Sequence, residues 1–168
     1  ASDILKSYRE IYGLYAVNGF LTNHESTLRN ESFVIAKIFR QAFNIYKKRQ
    51  KKIILGDISV QRDWGYAAEH MFAIKEMMKG QKAADFIYGT GQTMVLENLV
   101  RRAFEFYDLN LDDFLEIDDR LSRKNELYIT RGTTSFVKQK IKWEPKYFGL
   151  GLVDKLSEDF QVVLNKEQ

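Results

Sequence analysis

The spacing of apolar residues changes repeatedly along this chain, and that alternation restricts the fold more than any other feature. Residues 12–22 (YGLYAVNGFLT) are aromatic and β-branched enough to predict a strand buried on both faces. After a polar stretch from Asn23 to Asn30, residues 33–48 carry Ile35, Ile38, Phe39, Ala42, Phe43 and Tyr46 at three-and-four spacing, the mark of a helix. Lys52–Gly56 reads as a short strand, and 66–79 as a helix with Ala67, Met71, Ile74 and Met78 on one side. Asp85–Gly91 reads as a strand and glycine turn, and helix 94–107 follows. Two weak strands (112–118 and 126–130), a short helix from Ser135 to Lys142 and an amphipathic helix over Leu150–Leu164 complete the pattern. Strands alternating with helices predict an α/β fold.

Composition narrows the function. The formal charge of +3 is too small to imply nucleic acid, although Lys47, Lys48, Arg49, Lys51 and Lys52 cluster. That cluster reads as a helix end whose cations offset the negative end of the dipole, so no nucleic-acid partner is expected. Cysteine is absent, which removes disulfides and thiolate metal sites and fits a reducing cytoplasm. No apolar run approaches the ~20 residues of a membrane span, and no signal-peptide pattern opens the chain. No membrane association is expected.

The usual phosphate-handling motifs are not found. Gly89-Thr90-Gly91 lacks the third glycine and the later acidic residue of a dinucleotide turn, and reads as an ordinary strand-to-helix connection. There is no P-loop and no Gly-x-Ser-x-Gly elbow. His24 and His70 lie too far apart for local ligand spacing, so no metal is expected. Two clusters remain. Asn23-His24-Glu25-Ser26 is either a ligand loop at a strand end or a polar loop capping the next helix. In Arg62-Asp63-Trp64-Gly65, the arginine either forks onto a phosphate or pairs with Asp63 and stacks on Trp64.

In order and spacing, YGLYAVNGFLTNHES, ESFVIAKI, LGDISVQRDWGYAAEHMFAIKEMM, DFIYGTG, SRKNE and KWEP resemble GDP-mannose 4,6-dehydratases, which are extended short-chain dehydrogenase/reductases. The likeness runs from about Tyr8 to Pro145 and is tightest around Asn18–Ser26 and Arg62–Gly65. It implies the C-terminal portion of that fold: the last Rossmann strands and helices plus the small substrate-binding lobe, without the nucleotide-binding core. Residues 1–30 and 84–108 would be remnants of the Rossmann sheet, and 31–83 and 109–168 the lobe.

The resemblance also implies roles. Asn23, Val34, Lys37, Arg62, Arg123 and Glu126 would bind GDP-mannose or a related GDP-sugar, with Lys37 reaching the nucleotide's phosphates and Arg62 holding the diphosphate. Arg123 and Glu126 would grip diphosphate and ribose, while His24 and Arg29 would touch NADP from the substrate side. The chemistry suits such a ligand, because phosphates favour lysine and forked arginine and ribose hydroxyls favour a carboxylate. NADP is the cofactor of the complete family protein, and tight binding by this chain alone is not expected. In the family, a tyrosine from a Tyr-x-x-x-Lys pair acts as base, and the reaction makes GDP-4-keto-6-deoxymannose. Here the residues four after Tyr8 and Tyr12 are Tyr12 and Ala16, so this chain alone is expected to be inactive.

Two departures stand out. The family's Pro-Arg-Arg-Gly after NHES is Thr27-Leu28-Arg29-Asn30, which loses one arginine from a loop that helps family subunits share cofactor and assemble. Asp57 stands where many relatives have asparagine and brings a negative charge near the expected phosphates. Strand edges that the whole fold would bury predict a homo-oligomer or a partner chain carrying the N-terminal half. A non-catalytic binding or assembly module derived from the same fold is the alternative reading.

Overall fold

Three apolar helix faces meet over one core. The computed structural model describes residues 2–80, 83–122 and 126–167. It opens with α1 (Ser2–Tyr12), β1 (Asn18–Leu21), β2 (Asn23–Glu25) and α2 (Val34–Tyr46). Then come β3 (Ile53–Leu55), β4 (Gln61–Arg62), β5 (Trp64–Tyr66), α3 (Ala67–Met77) and β6 (Asp85–Tyr88). The rest is β7 (Met94–Val95), α4 (Leu96–Glu105), β8 (Leu115–Ile117), β9 (Ile129–Thr130), α5 (Ser135–Ile141) and α6 (Gly149–Lys166). Short 3₁₀ turns flank β8 at Leu111–Asp113 and Asp119–Leu121.

The larger core joins α2, α4 and α6, where Ile35, Phe39, Phe43, Leu99, Phe104, Leu156 and Phe160 are all buried. Phe39 and Phe160 stack with ring centroids 5.1 Å apart, a contact that adds to their area burial. A second cluster gathers Ala73 and Met77 of α3, Phe86 and Tyr88 of β6, Val137 of α5 and Trp143. Helix α2 ends at Tyr46 and is capped by Lys47, Lys48 takes a left-handed φ of 58°, and the basic run continues on the surface.

The strands form small sheets. β1 pairs parallel with β6, β2 with β5 and β3 with β8, while β4 runs between antiparallel β7 and parallel β9. The elements that differ from expectation have physical reasons. The strand expected over 12–22 is confined to Asn18–Leu21, because α1 runs on through Tyr12 and stops at Gly13, whose φ is +61°. Gly13 donates back to the Arg9 carbonyl at 3.1 Å, an ending that glycine permits. β1 is only half covered, with Phe20 49 % exposed, since β6 is the strand it pairs with. Helix α3 turns His70, Ala73 and Met77 inward, leaving Met71 and Met78 exposed. A Cβ at Gly65 would lie 2.3 Å from the His70 ring, so the bare β5 backbone makes room for an inward histidine.

The expected partition groups 84–108 with the first strand and 31–83 with the lobe. In the structure α3 packs in the cluster with β6, whereas α4 packs against α2 and α6. The polar stretch 23–30, expected outside the core, contains β2, and its Glu25 is buried. No described helix is long and apolar enough to cross a membrane.

Candidate functional site

A cleft of about 780 Å³ opens between β2, the start of α2, the segment after β3, strands β4 and β5, and the turn at 117–122. Strand alternation places Asn23 and Glu25 of β2 along it. The first turn of α2 contributes Val34 and Lys37, and β4 contributes Arg62. The positive end of the α2 dipole and three cations, Arg29, Lys37 and Arg62, make this a cleft suited to anions.

The cations are held in place. Arg62 donates to the Gln61 carbonyl at 2.7 Å, to the Tyr128 carbonyl at 3.1 Å and to Glu126 Oε1 at 2.5 Å. Lys37 Nζ donates to the Ile54 carbonyl at 2.6 Å. Arg29 pairs with Glu25 at 2.9 Å and lies 3.7 Å over the Phe33 ring. Thus Asn23, Arg29, Val34, Lys37, Arg62 and Glu126 share one cleft, while Arg123 lies outside the described residues. His24 does not line it. The His24 ring stacks on His70, with centroids 5.5 Å apart, and its Nδ1 meets the Thr22 carbonyl at 2.9 Å. Burial pushes the His70 imidazole below its ordinary value. Among the described residues no group of three or more His, Asp or Glu is arranged to hold a metal.

Asp63 is not the ion partner of Arg62, which pairs with Glu126. The buried Asp63 carboxylate turns the other way and accepts from Thr90 N at 2.9 Å, Thr90 Oγ1 at 2.7 Å, Gly91 N at 3.0 Å and Gly132 N at 3.0 Å. A Cβ at Gly89 would sit 2.7 Å from Asp63 Oδ2, so the close approach requires glycine. This knot ties together the segments that follow β4, β6 and β9. It also occupies the turn amides of Thr90 and Gly91, which would otherwise be available to a phosphate.

Glu25 belongs to the Asn23–Ser26 cluster but is not among the residues expected to bind. It is buried and lines the cleft, and burial raises its carboxyl to about 7 against the pull of Arg29. The sequence signal was its position two residues after Asn23, on the same face of a strand.

The family model for GDP-mannose 4,6 dehydratase matches residues 1–155. The chain is similar to GDP-mannose 4,6 dehydratase 1 of Arabidopsis thaliana, at 36 % identity over 96 % of this chain and 45 % of that protein. It is also similar to the GDP-mannose 4,6 dehydratase of Drosophila melanogaster, at 30 % identity over 95 % of this chain and 45 % of that protein. Among solved structures it resembles RMD from Pseudomonas aeruginosa complexed with NADPH, with a TM-score of 0.84, 20 % identity, and coverage of 97 % of this chain and 53 % of that one. A UDP-glucose 4-epimerase from Thermotoga maritima solved with UDP-glucose gives a TM-score of 0.78 at 19 % identity, over 96 % of this chain and 51 % of that one. The chain thus spans about half the length of the relatives it matches. Its fold is that of the C-terminal part of an extended short-chain dehydrogenase/reductase. This chain belongs to the GDP-mannose 4,6 dehydratase family.

Proposed function

We propose that this chain is the sugar-nucleotide grip of an NADP-dependent GDP-mannose 4,6-dehydratase, the enzyme that makes GDP-4-keto-6-deoxymannose. The observation that carries the reading is the convergence of Arg62, Lys37, Asn23, Val34 and Glu126 on one cleft large enough for a nucleotide sugar. Arg62 takes the diphosphate, giving up part of its contact with Glu126 as the ligand enters. Glu126 then turns to the ribose hydroxyls, and Arg123, three residues before it in sequence, supports the diphosphate.

NADP fits these residues poorly. Arg29 is already clamped between Glu25 and Phe33, His24 faces His70, and the Thr90 and Gly91 amides are bound to Asp63. We therefore assign no hydride step to this chain. None of its tyrosines has a lysine four positions on, in keeping with a role in binding.

Assembly is part of the proposal. Helix α1 has no buried residue, and Ile4, Tyr8, Ile11 and Tyr12 form an exposed stripe. That face suits a second copy or a chain carrying the remaining half of the fold, in the cytoplasm. Titration calorimetry with GDP and GDP-mannose tests the grip. Heat from both, reduced by Arg62→Ala, is expected, and a folded protein that takes up neither ligand overturns the reading.

A further inference from the structure

The two oxygens of the Glu25 carboxyl are held unequally. The residue is 1 % exposed, and Arg29 Nη1 donates to Oε1 at 2.9 Å. Oε2 is buried too and has no hydrogen-bond partner among the described residues. A buried carboxylate is costly unless both oxygens are satisfied, whereas the neutral acid places its proton on the free oxygen. Burial outweighs the pull of Arg29 and raises the carboxyl to about 7, so the two forms are balanced near neutrality.

The other titratable groups around β2 are committed elsewhere. His24, the neighbour on β2, points to the opposite face and stacks on His70 of α3, with centroids 5.5 Å apart. Glu69 of α3 accepts from the Lys146 and Tyr147 amides. β5 sets Tyr66 opposite Glu25, and the tyrosine hydroxyl donates to Asp159 at 2.8 Å. Asp63, just before β5, is bound by Thr90 and Gly132. Of the other cations lining the cleft, Lys37 donates to the Ile54 carbonyl and Arg62 to Glu126. Arg29 is therefore the cation that acts on Glu25. It also lines the cleft, with its guanidinium 3.7 Å over the ring of Phe33, the residue that caps the start of α2.

An anion in the cleft draws on the same guanidinium and adds negative charge beside the carboxyl, and both effects favour the neutral acid. Resting on the nucleotide-sugar reading, we propose that the Glu25–Arg29 pair is a proton-linked latch of the cleft. An arriving diphosphate takes the Arg29 guanidinium, which stays on the Phe33 face, and Oε2 of Glu25 takes one proton from solvent. Arg29 keeps its own proton, and no covalent bond between heavy atoms changes. The cleft therefore grips a diphosphate more tightly in mild acid than in mild alkali.

Calorimetry of the full chain with GDP-mannose tests the latch, because that ligand has no terminal phosphate, the group that titrates near pH ~6. Heats measured in two buffers of different ionisation enthalpy count the protons exchanged. The native chain should take up about half a proton per ligand at pH 7, and its affinity should fall at least about fivefold between pH 6 and pH 8. Glu25→Gln should bind without uptake and with a flat pH profile. Arg29→Gln, whose Glu25 is neutral before any ligand arrives, should also bind without uptake. Binding by the native chain with no proton exchanged, or with one released, overturns the latch and leaves the diphosphate grip standing. Uptake that persists in Glu25→Gln assigns the proton to another group and overturns it equally. No binding of GDP-mannose overturns the nucleotide-sugar reading and the latch with it.

Discussion

The Asp63 carboxylate lies 3.0 Å from the Gly132 amide, although 69 residues separate them, and it binds Thr90 and Gly91 at the same time. Removing it leaves buried N–H groups without an acceptor. Asp63→Ala should lose about 3–5 kcal/mol of stability, the range for breaking a buried hydrogen-bonded charge. Urea unfolding followed by tryptophan fluorescence reads this as a lower midpoint with an unchanged slope. A loss below about 1 kcal/mol would show that the knot is not a structural centre.

Glu25 makes stability depend on pH in the direction opposite to most carboxylates. Burial raises its carboxyl from 4.5 to about 7 in the folded chain. The folded state then holds the proton more tightly than the unfolded state does. Its contribution is fully present below the unfolded value and is lost as pH rises through about 7. His70, held below its ordinary value, works the other way, its contribution being lost as the solution is acidified. Comparing Glu25→Gln with the native chain isolates the carboxyl. The stability of the variant relative to native should rise by about 2 kcal/mol between pH 5 and pH 8. Parallel pH profiles for the two proteins would contradict the assignment.

Arg62 is fixed by two carbonyls and by Glu126, and in the proposed reading it exchanges part of that contact for the diphosphate. Arg62→Ala should weaken GDP-mannose by about 30-fold, or ~2 kcal/mol. Arg62→Lys should recover only part of this, since a lysine offers a point charge in place of a fork. Calorimetry at constant ionic strength measures both, and equal affinities for native and alanine forms would exclude Arg62 from the binding set.

The α1 stripe predicts association. Sedimentation of the native chain should depend on concentration, and the double variant Ile11→Lys, Tyr12→Lys should sediment as a monomer with an unchanged circular dichroism spectrum. A native monomer at high concentration would leave the stripe without a partner.

Much of the helical framework was legible because amphipathic periodicity is local. Ile35, Ile38, Phe39, Ala42 and Phe43 announce a buried face that the structure places against α4 and α6. Two local readings went astray where a single residue carried the decisive information. Gly13 ends a helix inside a run that reads as strand by composition, and His70 occupies the inward position of α3 behind apolar neighbours that face outward. Composition averages over such positions, and backbone geometry does not.

The sequence by itself determined the alternation of strand and helix, the family resemblance and the kinds of side chain the cleft would present. It named Asn23, Val34, Lys37, Arg62 and Glu126 but could not place them in one cavity, because Arg62 and Glu126 are 64 residues apart. Only the tertiary structure decided that Asp63 turns away from Arg62 to tie distant turns together, that Glu25 is buried and that His24 pairs with His70 away from the cleft. The reason is physical: burial and hydrogen-bond partnership depend on residues remote in the chain, whereas periodicity and residue type do not.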